Sequence, residues 1–137
     1  MFHLTRRLLL ITLAGTLLVS AAAPEKEAET AGLAWLVLLD QANYAESWEK
    51  AAGLFQSKLP KEKWGETLTK LRTPLGAVKS RKLMQAQHTT DLPGVPKGEY
   101  VILQFETRFE KHDKPVTETI TPMLEGETWK VAGYFVR

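Results

Sequence analysis

The sequence contains no cysteine. That removes disulfides, thiol nucleophiles, thiolate metal sites and haem attached through C-x-x-C-H. Small exported domains commonly lean on disulfides, so a fold without them rests on its core alone. Histidine is scarce, and one of the three, His3, lies near the N-terminus. A metal site needs several His or carboxylate ligands converging. Neither His88 nor His112 is spaced to suggest one, so no metal and no cofactor are expected. No serine stands in G-x-S-x-G, so a nucleophile elbow is absent.

An excess of one charge is lacking too. The chain has 18 basic and 16 acidic residues. Arg6 and Arg7 are the only charges before Glu25, so everything beyond them is formally neutral. That excludes a nucleic-acid role driven by phosphate neutralisation. Arg6 and Arg7 precede an apolar run, Leu8 to Val19, and small residues, Ser20 to Ala23. A basic segment, an apolar segment and an A-x-A-like end form a secretory signal peptide. Residues 1–22 are assigned to it, with cleavage after Ala21 or Ala22. The apolar run is shorter than the roughly 20 residues of a spanning helix, so no stable membrane anchor is expected after cleavage. The expectation is a soluble protein, periplasmic or secreted.

About 115 residues remain, enough for one domain with one core. Residues 23–30 are polar and acidic and are expected to be a flexible linker, leaving 31–137 as the domain. Ala31 to Leu39 is apolar nearly all round, the pattern of a helix buried on more than one side. Asp40 to Asn43 breaks it. Tyr44, Trp48, Ala51, Ala52, Phe55 and Leu59 then form one stripe at helical spacing, which predicts a single amphipathic helix. Pro60 opens a third helix, with Trp64, Leu68 and Leu71 buried, and Thr73-Pro74 stops it.

From Ser80 the period becomes two. Strands are predicted over 80–90, 98–110, 115–124 and 128–137. In the second, Val101, Leu103, Phe105, Thr107 and Phe109 share one face, and Tyr100, Ile102, Gln104, Glu106 and Arg108 the other. Pro122 marks a bulge or an edge. Asp91 to Gly98 leads into a strand rather than a helix N-terminus and lacks phosphate-loop glycine spacing, so it reads as a wide hairpin connection. The fold class is therefore α+β, three N-terminal helices packed on an antiparallel sheet of about four strands.

Few residues offer chemistry. Asp40 could be a buried general base or a helix cap, and capping is preferred. His88 is the second candidate base. Arg72 and Arg81 could hold a carboxylate or phosphate, but pairing with Glu106 or Glu118 is preferred. Glu118 alternates with Val116 and Ile120, so it points inward and wants a cation. Trp35, Trp48, Trp64 and Trp129 are core, or else an aromatic wall for a ligand. The ligand-binding candidates are Trp48, Trp64, Arg72 and Arg81.

The segments "WLVLLDQANY", "SWEKAAGLF", "KWGETLTKLRTPLGAVKSRK", "LPGVPKGEYVILQFETRF", "ETIT" and "WKVAGYFVR" resemble domain-of-unknown-function family 4019, found in exported bacterial proteins. They cover nearly the whole mature chain in order. The resemblance implies a cone similar to nuclear transport factor 2, a curved sheet wrapped over helices, often with a pocket between them. It implies no activity and carries over no catalytic residue. The leading expectation is a non-catalytic binding or interaction module of the bacterial cell envelope, taking a small apolar ligand or an envelope protein. The alternatives are an enzyme using Asp40 or His88 as base, and a homodimer paired through the sheet.

Overall fold

The computed structural model describes residues 23–137. The signal-peptide assignment of 1–22 lies outside the described residues. Helix α1 (Pro24–Asp40) starts earlier than the sequence pattern predicts. The stretch expected to be a linker forms its first two turns. Pro24 at the first helical position and Glu25 and Glu27 in the first turn favour a helix start. Ala28 is fully buried, on the same face as Gly32, Trp35, Leu36 and Leu39. The spacing of Ala28 to that stripe, not the polarity around it, decides the matter. Gly32 lets α1 lie close on the sheet, since a Cβ there would stand 3.0 Å from Leu103 Cδ1.

The long second helix of the sequence pattern is two short ones, α2 (Tyr44–Lys50) and α3 (Gly53–Lys58). Ala51 and Ala52 between them are extended. Two bonds from distant residues hold the break open. The Ala52 N–H donates to the Val131 carbonyl at 2.8 Å. The Gly53 N–H donates to Glu125 Oε2 at 2.9 Å. The apolar spacing survives the break, because Ala51, Ala52 and Phe55 are all buried. Helix α4 (Lys61–Arg72) follows Pro60 as expected, burying Trp64 and Leu68.

The four strands β1 (Val78–Thr89), β2 (Tyr100–Phe109), β3 (Val116–Glu125) and β4 (Thr128–Val136) form one antiparallel sheet in sequence order. The Asp91–Gly98 segment joins β1 to β2 as a wide hairpin connection. Pro122 sits at a register shift, where a missing N–H costs the ladder least. In β2, Val101, Leu103, Phe105, Thr107 and Phe109 are buried as one row. Tyr100, assigned to the opposite row, is buried as well, and its hydroxyl donates to the Pro96 carbonyl at 2.6 Å. The proline segment folds back over that side of the sheet.

The architecture is thus α+β, helices packed on a four-stranded antiparallel sheet, with four helices among the described residues because the expected second helix is divided in two. Helix α1 crosses all four strands. Its buried face, Phe55, Trp64 and Leu68 meet Leu103, Phe105, Ile120 and Val131 in one core. Among the described residues no helix is long and apolar enough to cross a membrane.

Candidate functional site

The candidate polar residues converge at one end of the core, where α1 and α4 finish and β1, β2, β3 and β4 meet them. Asp40 is the last residue of α1, three positions before Asn43, the N-cap of α2. It does not cap that helix. Its carboxylate accepts bonds from two guanidiniums instead. Arg81 donates through Nη1 to Oδ2 at 2.8 Å and through Nη2 to Oδ1 at 3.0 Å. Arg72 donates through Nη2 to Oδ1 at 2.7 Å. Burial raises the Asp40 carboxyl, but the bonds and charges of Arg81 and Arg72 outweigh it and hold the group below the usual aspartate range.

Arg81 carries the network into the core. Its Nε donates to Glu118 Oε1 at 2.8 Å. Glu118 is fully buried, as its alternation with Val116 and Ile120 predicts, and Arg81 is the cation it wants. The same Oε1 accepts the Thr107 hydroxyl at 2.5 Å, and Oε2 accepts the Tyr134 hydroxyl at 2.5 Å. Burial, then the adjacent Glu118 charge, pushes the Tyr134 phenol far above its ordinary range, so it stays a donor. Arg72 stacks its guanidinium over Phe109, 5.0 Å from the ring centre. Two cations and two anions cancel, which is the condition for burying them.

That neutrality limits the chemistry. A general base needs a free lone pair and a raised basicity. Both Asp40 oxygens accept guanidinium bonds, with one lone pair of Oδ2 left over, but the group is held below the usual aspartate range, the wrong direction for a base. His88 lies elsewhere, part-exposed near the end of β1, with Nε2 3.2 Å from Glu99 Oε1. His112 sits in the exposed β2–β3 turn with Nδ1 2.7 Å from the Lys114 carbonyl. No three His, Asp or Glu side chains converge as a metal site among the described residues.

The four ligand-binding candidates are not brought to one hollow. Trp64 is buried in an aromatic cluster, edge-on to Phe55 with centroids 4.9 Å apart and 6.0 Å from Trp35. Its Nε1 donates to Ser47 Oγ at 2.9 Å, while Trp35 Nε1 donates to the Ser47 carbonyl at 2.8 Å. Trp48, half-buried, donates to the Leu59 carbonyl at 2.7 Å. Arg72 alone borders a surface hollow, beside Asp40, Tyr44 and Thr73. Tyr134, Thr107 and Ser47 take part in these networks without being site candidates in the sequence pattern. Thr107 was visible as the one polar residue in an apolar row. Nothing local marked the other two.

A different surface is more open to a ligand. The outer side of α1 leaves Leu33 36% and Val37 47% exposed. Beside it a groove of about 270 Å³ runs between α1 and the start of β4. Ala31, Ala34, Leu38 and Trp129 form its apolar walls, and Lys50 and Lys130 also line it. The apolar pattern of Ala31 to Leu39 predicts burial on more than one side, but among the described residues only one side of α1 is covered.

Comparison with family models matches residues 31–134 to a protein family of unknown function, DUF4019. The chain belongs to the DUF4019 family. The match runs from the second turn of α1 to Tyr134, so it takes in every member of the DUF4019 chain's buried ion network. A comparison with curated proteins gives no match.

Proposed function

We propose that this DUF4019 chain is an exported, non-catalytic binding module of the bacterial cell envelope, and that it binds on the outer flank of α1. The observation that carries this reading is the apolar side of α1 that nothing among the described residues covers, continuous through Ala34 with the groove beside β4. Exposed apolar patches with polar rims are where soluble domains meet partners. The space between helices and sheet, where the resemblance would put a ligand, is occupied by Trp35, Phe55, Trp64 and Tyr134. The ligand-in-the-cone version therefore gives way to surface binding.

The enzyme reading loses Asp40 to its two guanidiniums. Pairing of the sheet into a homodimer draws support from Phe135 and Met84, both exposed on strands. Sedimentation as a strict monomer ends that alternative. Export draws on Arg6, Arg7 and the Leu8 to Val19 run. The test of the main reading has two parts. The mass of the exported product should begin at Ala22 or Ala23. Native mass spectrometry of the wild type purified from periplasm should show an added mass that the Ala34→Trp variant lacks. An intact leader on the exported protein defeats the localisation. A bare wild type, or a species held equally by both forms, defeats binding at this flank.

A further inference from the structure

From the groove lining we infer that the site beside α1 takes a single-chain anionic amphiphile, one acyl chain with a carboxylate or comparable head. This rests on the surface-binding reading above and gives it a ligand class. Three observations lead there. The walls are Ala31, Ala34 and Leu38 on one side and the Trp129 indole on the other, a trough that offers an alkyl chain contact without asking for hydrogen bonds. The charged residues that line it are Lys50 and Lys130, both cationic. Its volume, about 270 Å³, lies just below the usual span of small-molecule sites, which starts at about 300 Å³. So small a trough suits one alkyl chain better than two.

The lysines are available for the head group. Lys50 pairs with Glu46 at 2.9 Å and Lys130 with Glu125 at 3.4 Å. All four side chains are well exposed, so each pair is weak and exchanges readily for a better-placed anion. Glu125 has another partner, the Gly53 N–H, and keeps it when Lys130 turns away. Trp129 is steadied from its outer edge, its Nε1 donating to Glu27 Oε2 at 3.4 Å. The position of Ala34 is decisive for access. It is exposed, lies midway along α1 and borders the trough, so a larger side chain there closes it without touching the core.

The probes are dodecanoate and dodecyltrimethylammonium, below their micellar concentrations, titrated calorimetrically into the mature protein. Dodecanoate should bind one to one. The cationic amphiphile should bind about tenfold more weakly, the preference that two exposed ion pairs supply together. Lys50→Glu with Lys130→Glu should reverse the order. Ala34→Trp should remove both while leaving the circular dichroism and Tm of the wild type. Equal affinity for the two probes, an order unchanged in the double variant, or dodecanoate binding that persists in Ala34→Trp would each overturn the inference. Absence of dodecanoate binding overturns it as well. In that event the periplasmic protein separates the two readings. A native adduct lost in Ala34→Trp leaves the binding module standing with a different ligand, and no adduct brings both down.

Discussion

Glu118 and Val37 sit on the wrong sides of a simple oil-drop picture. The carboxylate has no exposure, and the valine is 47% exposed. One region of the molecule buries charge, and the other shows apolar side chains to water. The difference teaches that polarity alone does not sort residues between inside and outside. Satisfaction does. Glu118 is tolerated inside because Arg81, Thr107 and Tyr134 supply all its donors. Val37 is outside because the sheet has one helix-facing side, and α1 has already used its opposite face on it. Glu118 is thus satisfied by the chain's own residues, whereas Arg72 keeps Nε and Nη1 buried without hydrogen-bond partners among the described residues, and the flank of α1 stays exposed there.

Substitutions in the two regions should separate them sharply. Arg81→Met leaves Glu118 buried without its cation and should cost about 3–5 kcal/mol in urea unfolding, the typical loss when one partner of a buried pair goes. A loss below about 1 kcal/mol would mean the network is only a surface pair. Tyr134→Phe removes one donor from Glu118 and should cost about 1–3 kcal/mol. The raised Tyr134 pKa also has a sign. A group kept protonated by folding stabilises below its ordinary range and loses that contribution as pH rises through and above it. The wild type should therefore weaken at alkaline pH more steeply than Tyr134→Phe.

Acid tests the other end of the network. Asp40 is lowered by Arg81 and Arg72 against the opposing effect of its burial. A lowered carboxyl stabilises above its ordinary range and loses that as pH falls through and below it. Asp40→Asn should flatten the acid limb of Tm against pH, and an unchanged limb would remove Asp40 from the network's energetics. The smallest effect belongs to the flank. Val37→Glu should change stability by no more than about 0.5 kcal/mol, as for an ordinary surface site. It should nevertheless weaken dodecanoate binding in the same calorimetric titration, since it removes apolar surface and adds a like charge beside the trough. A large loss of stability there would erase the contrast between the two regions.

Much of this architecture was legible locally. The row from Val101 to Phe109, the inward Glu118, the shift at Pro122 and the proline opening of α4 are all properties of short segments. The failures share one cause. The α2–α3 break depends on Val131 and Glu125, far along the chain. Asp40 forgoes the cap that its neighbourhood favours because Arg72 and Arg81 arrive from α4 and β1. Tyr100 is buried by a segment whose path no period of two can reveal. In each case a contact distant in sequence overrode the local pattern, and at Asp40 the preference it overrode is a helix cap worth about 1 kcal/mol.

What the order of residues determined by itself is the class of fold and the inventory of chemistry. Periods of 3.6 and 2 dictate which elements form, and the missing cysteines limit what they can do. What only the folded chain decided is pairing. Asp40, Arg72, Arg81 and Glu118 cancel one another because α1, α4, β1 and β3 end or pass within hydrogen-bond reach, and the outer side of α1 stays bare because none of those elements reaches it. Charge neutralisation and burial both act over a few ångströms of space, and one-dimensional order does not encode those distances.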